Sequence, residues 1–98
     1  MNAEITQPIA IRKLSCGSEE LSVVLGKPEA IEDNDFLCPY MILAGKDTKR
    51  GYAIGIDGIQ AIQLAMKKIG IDLTYISKVR GIPISWNMGE PGDTGFSP

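Results

Sequence analysis

Alternating apolar residues dominate the first half of the chain, and one apolar stripe at helical spacing dominates the second. Residues 9–15 (IAIRKLS) predict a first strand with Ile9 and Ile11 on one face; the phase slips at Leu14, where a bulge or an early end is expected. After the polar connector from Cys16 to Glu20, residues 21–25 alternate cleanly, with Leu21, Val23 and Leu25 opposed to Ser22 and Val24. A β-hairpin is the natural joining of the two. Gly26-Lys27-Pro28 ends the second strand, and the stretch from Glu29 to Asp35 is too acidic and turn-rich for a central strand.

Residues 36–44 (FLCPYMILA) predict a third strand that is apolar on both faces. Phe36, Cys38, Tyr40 and Ile42 point one way, and Leu37, Met41 and Leu43 the other. Pro39 has no N–H to give a ladder, so its nitrogen must face an edge, a bulge or a strand end. A loop at 45–49 returns the chain into a fourth strand at 50–56, where Tyr52, Ile54 and Ile56 share a face and Gly55 leaves room for a close approach on the other.

Asp57 is a good helix N-cap, and Gln60 three residues later completes a capping box. Ile59, Ile62, Met66, Ile69, Leu73 and Ile76 then recur at spacings of three and four, predicting one helix from 57 to about 78 that buries this stripe. Gly70 inside it costs roughly 1 kcal/mol relative to alanine. A turn at 78–81 precedes a last strand, residues 82–88, in which Ile82, Ile84, Trp86 and Met88 share a face and Trp86 is expected to fill the core beneath the helix. The tail is expected to be irregular. The expected fold is α+β: one domain spanning 1–98, an antiparallel sheet of about five strands in the order ββββαβ, with the long helix packed on one face.

Composition narrows the function classes. At 98 residues, 44% apolar and 22% charged, the chain has the makeup of an ordinary globular domain. No apolar run approaches the roughly 20 residues that span a bilayer, and the start MNAEITQPIAIRKLS lacks the features of a secretory signal. A cytoplasmic protein is expected. Cys16 and Cys38 are then read as free thiols, a disulfide being the less favoured alternative.

Charge is uneven. Residues 1–40 hold three basic and seven acidic side chains, and residues 41–98 hold seven basic and five acidic. That distribution argues against nucleic-acid binding and suits docking to a basic partner.

Catalytic and metal chemistry finds few candidates. There is no histidine, which removes the commonest general base and metal ligand. Gly45-Lys46 is followed by Asp47 and so is no phosphate loop, and Asp33-Asn34-Asp35 lacks the glycine and distal glutamate of a calcium loop. Glu32 and Asp35 read as a solvated pair rather than an acid–base couple. No enzyme activity, cofactor or metal is expected.

Two features remain: the second apolar face of strand 36–44 (Leu37, Met41, Leu43), and the acidic loop that precedes it, with Glu29, Glu32, Asp33 and Asp35. An apolar patch beside a charged rim is the anatomy of a protein-binding surface.

Cys38-Pro39-Tyr40, then Asp57-x-x-Gln60-Ala61-x-Gln63-Leu64-Ala65 with Ile69-Gly70, then Ile84-x-Trp86 and Gly92-Asp93-x-Gly95-Phe96 resemble a family of small bacterial domains of unknown function. The resemblance covers residues 36–97, with Thr94 standing where an aliphatic residue is expected. Small acidic proteins of this type are similar to immunity proteins encoded beside contact-dependent toxins. The family resemblance carries no activity with it. Small size, absent catalytic chemistry, a cytoplasmic start and the apolar patch with its acidic rim lead to the expectation of a non-enzymatic immunity protein that blocks the active site of a cognate basic toxin domain, a nuclease being one candidate. The alternative is a homodimeric structural or accessory protein that self-associates through strand 36–44.

Overall fold

The computed structural model describes residues 4–86 and 89–96. Strand β1 (Pro8–Cys16) turns through Gly17 into β2 (Glu19–Gly26), and the two pair antiparallel with Arg12 opposite Val23 and Leu14 opposite Leu21. β2 pairs with β4 (Phe36–Ala44), and β4 pairs along its length with β5 (Asp47–Gly55). A short β3 (Glu29–Ala30) meets β4 at Leu37 and Phe36. Helix α1 (Gly58–Arg80) then leads from β5 to β6 (Ile84–Trp86), which lies antiparallel to β1. The order across the sheet is β5-β4-β2-β1-β6, with β3 also beside β4 and every pairing antiparallel. This is the expected α+β architecture with one more strand than expected, the two-residue β3 inside the acidic stretch.

Pro39 shows how the sequence shapes the sheet. β4 pairs with β2 from Tyr40 to Ala44 and with β3 at Phe36 and Leu37, which leaves Cys38 and Pro39 beside the break between those two strands. A residue without an N–H belongs in such a gap. The Cys38 thiol donates there to the Gly26 carbonyl at 3.4 Å.

The core lies between the sheet and α1. Leu14, Cys16, Leu21, Val23, Cys38, Tyr40, Ile42 and Ala44 supply the sheet side, and Ala61, Ala65, Ile69 and Leu73 the helix side. The expected helix stripe needs correction at two positions: Ile59 is 70% exposed and Met66 38% exposed, while Ile62 and Ile76 pack only partly against the core. The buried line is instead Ala61, Ala65, Ile69, Leu73, at a spacing of four. Small residues win there because α1 begins hard against the end of β5: a Cβ on Gly55 would come within 2.5 Å of the Ala61 nitrogen. A hydrophobicity pattern cannot register that distance.

Both helix ends are capped. Asp57 accepts a bond from the Gln60 N–H at 2.7 Å, and the Gln60 side chain accepts one from the Ile56 N–H at 2.8 Å. The helix runs past the expected end at 78 to Arg80, where Gly81 (φ 68°) supplies the left-handed residue that closes many helices. Arg80 fastens this end by hydrogen bonding to Glu19 and to the Ala44 carbonyl. That bond from Arg80 holds the Glu19 carboxyl below the usual carboxylate range.

Three further expectations change. The irregularity in β1 falls between Pro8 and Ala10 rather than at Leu14, which puts Leu14 in the core and leaves Ile9 and Ile11 46% and 63% exposed. Trp86 is 37% exposed and stacks under Arg12, whose guanidinium lies 4.7 Å from its ring and 5.0 Å from that of Phe96. The tail is tied down: the Trp86 N–H donates to the Asp93 carbonyl at 3.0 Å, and Arg12 to the Thr94 carbonyl at 3.3 Å. Gly70 makes room for this tail, since a Cβ there would sit 3.1 Å from the Phe96 carbonyl oxygen. Met88, expected on the last strand, lies outside the described residues. Cys16 and Cys38 are both buried free thiols.

Candidate functional site

The sheet face turned away from α1 is where the sequence-derived site residues fall. Strand register places Ile54, Leu37 and Glu29 in one row across β5, β4 and β3. A parallel row further along holds Arg50, Met41, Val24 and Ile11, and the next holds Thr48, Leu43, Ser22 and Lys13. This outer face is therefore apolar toward the Leu37 end and turns polar beyond Leu43. The alternation of side chains along each strand accounts for the whole pattern.

The N-terminal segment crosses the apolar end. Ile5 sits over Gly26 beside Pro39: a Cβ on that glycine would lie 2.9 Å from Ile5 Cγ1 and 2.8 Å from Pro39 Cγ. Gln7 accepts a bond from the Lys27 N–H at 2.8 Å, and Thr6 donates to Glu29 Oε1 at 2.6 Å, so this segment is held to the strands it covers. Leu37, in the row with Glu29 and Ile54, is buried at 3% exposure and is removed from any contact surface. Met41 is half-buried beside Ile5 and Arg50. Leu43 is 37% exposed. The cover that the second face of this strand requires is thus provided in part by the chain itself.

The acidic stretch forms a tight turn. After β3 a 3-10 turn (Glu32–Asn34) is closed by a bond from the Ile31 N–H to the Asp35 carbonyl at 2.8 Å. Asp33 and Asn34 take left-handed conformations, φ 63° and 61°, which these two residue types tolerate better than most. Glu32 and Asp33 are exposed and Asp35 half-exposed, and together with Ile31 they border a surface hollow whose opposite wall is Ile54. Glu29 stands apart, engaged by Thr6. The fold therefore gathers Glu32, Asp33 and Asp35 around one exposed aliphatic, Ile54, and separates them from Leu43 by the length of β4.

Ile11 joins this surface through its pairing with Val24, although the strand phase read from sequence assigns it no face relative to the helix; Ile9 falls at the register shift and has no partner in β2. The register shift at Pro8 is the physical signal, and only pairing with β2 reveals it. Helix α1 leaves a second set of apolar side chains in solvent: Ile71, Tyr75 and Val79 are 57%, 63% and 68% exposed.

This arrangement of a strapped sheet, a capped helix and an anchored tail can be set against known families. The chain belongs to the DUF6968 family. That family is a domain of unknown function, and its match covers residues 10–98. No curated protein and no solved structure matches the chain. The matched span takes in both the outer face of this DUF6968 domain, from Ile11 onward, and the tail anchored by Arg12. No helix among the described residues is long and apolar enough to cross a membrane.

Proposed function

We propose that this DUF6968 domain is a non-enzymatic binding protein that docks a basic protein partner on the outer face of its sheet. The observation that carries the reading is the juxtaposition of Ile54 with Glu32, Asp33 and Asp35 at one end of a face that also exposes Ile11 and Leu43. Apolar side chains excluded from the core supply contact area, and a fixed acidic turn at the rim supplies orientation and attraction. The finer form of the reading is an immunity protein that blocks the active site of a cognate toxin, with the acidic turn facing a basic substrate cleft.

Co-expression with a toxin domain encoded beside the gene tests it. The wild-type chain restores growth, and Ile11→Glu combined with Ile54→Glu abolishes protection while the protein stays folded. Protection by the double variant overturns the docking face. Self-association through the same face is the competing occupant, and sedimentation equilibrium showing a monomer at all concentrations removes it.

A further inference from the structure

The two edges of the sheet are treated differently. At the β6 edge, the tail returns and the Trp86 N–H donates to Asp93. At the β5 edge, no strand lies beyond β5 among the described residues, and the side chain of Lys68 alone reaches in, donating to the Tyr52 carbonyl at 2.6 Å. Since that carbonyl points away from β4, backbone alternation turns the N–H and C=O groups of Thr48 and Arg50 the same way.

Above this edge lies the flank of α1. Leu64, Lys68, Ile71, Tyr75 and Val79 recur on one side of the helix, and two contacts set that side over β5. One is the bond from Lys68; the other places Lys49 Nζ 5.9 Å from the centre of the Tyr75 ring. Between helix and strand runs a groove of about 220 Å³ with an apolar floor of Ile42, Ala44 and Ile76, and with Val79 and Thr48 on its walls. Apolar side chains left in solvent beside unpaired strand backbone are complementary to one thing above all, a further strand.

We infer that β5 is a docking edge to which an extended acidic segment of a partner protein adds as a seventh strand, its inward apolar side chains filling the groove under Tyr75 and Val79. Charge selects the occupant. Lys46, Lys49, Arg50, Lys68 and Arg80 surround the edge; Lys49 is offset by Asp72 at 3.5 Å and Arg80 by Glu19 and Asp47, whereas Lys46, Arg50 and Lys68 make no ion pair among the described residues. A second copy of this chain is disfavoured, because pairing of β5 with β5 gathers the basic side chains Lys46, Arg50 and Lys68 of both copies along one edge. Lys68 guards the edge until the partner carbonyls and N–H groups replace its bond to Tyr52. This surface is distinct from the acidic turn and does not depend on it.

The test is an amide-resolved NMR titration with two synthetic peptides, one alternating valine with glutamate and one alternating valine with lysine. Addition of the glutamate peptide shifts the Thr48 and Arg50 amides and slows their hydrogen exchange, and the lysine peptide binds about tenfold more weakly or worse. Arg50→Pro removes an outward N–H without taking a bond from β4, and Val79→Glu blocks the groove from the helix surface. Each weakens the glutamate peptide about tenfold or more. Shifts confined to other elements, equal binding of the two peptides, or full binding by Val79→Glu overturns the inference. Lysine substitutions at Glu32, Asp33 and Asp35 leave this titration unchanged, which separates its failure from failure of the outer-face proposal.

Discussion

Tyr40 lies across Gly51 so closely that a Cβ on the glycine would stand 2.3 Å from the phenolic oxygen. The two residues face each other in the β4–β5 ladder, and the missing side chain lets the ring reach over β5 to α1, where its hydroxyl donates to Asp72 Oδ2 at 2.5 Å. Lys49 approaches the other oxygen of Asp72 at 3.5 Å. One glycine on a strand thus fixes how helix and sheet are joined. Gly51→Ala is expected to destabilise the fold by about 1–3 kcal/mol through overpacking. Most of that cost is expected to vanish in a Tyr40→Leu background, as a double-mutant cycle by urea denaturation reads directly.

Helix phase gives the second expectation. Ile69 is fully buried, and Ile69→Ala is expected to cost about 2–5 kcal/mol. Ile59, at 70% exposure, is expected to tolerate alanine within about 0.5 kcal/mol. Equal losses at the two positions in urea denaturation contradict the packing described.

The helix was legible as an element because its cap and its period are local. Asp57 and Gln60 mark the start, and the stripe marks the length. Its exact burial was not legible, because Ala61 and Ala65 are selected by their distance from Gly55, a relation across the chain. The same holds at the site. The acidic turn and the doubly apolar strand stand out in sequence, but the cover over Gly26 and Pro39 comes from Ile5, thirty-four residues before that proline, and no local pattern shows it. Arg12 is separated from Trp86 and Phe96 by more than seventy residues in sequence, and no local pattern joins it to them.

Alkaline pH is expected to weaken the fold. Burial pushes the Cys38 thiol from 9.0 up to about 11. Burial, aided by the Asp72 carboxylate, pushes the Tyr40 phenol well above its ordinary 10.0. Both folded-state values are raised, so this contribution is complete below the unfolded values and is lost as pH rises through the folded ones. Urea midpoints are expected to fall once pH passes about 9, and less steeply in Tyr40→Phe. A midpoint constant up to about pH 11 contradicts the burial of both groups.

Trp86 is the single tryptophan and reports on the tail. Arg12→Ala is expected to shift its fluorescence and to speed amide exchange at Asp93 and Gly95, with exchange in α1 little changed. Arg12 joins these residues by stacking and by its bond to Thr94. Unaltered fluorescence contradicts the stacked arrangement.

The docking role proposed for the acidic turn is tested most directly by association kinetics at two salt concentrations, against a candidate toxin domain encoded beside the gene. Charges at the rim of an interface act chiefly on the rate of encounter, and salt screens them over about 8 Å at physiological ionic strength. Converting Glu32, Asp33 and Asp35 to lysine is expected to slow association strongly at low salt and much less at high salt, with the melting temperature almost unchanged. An association rate equal to that of the wild-type chain at both salt concentrations contradicts the proposal and leaves the turn no part in binding.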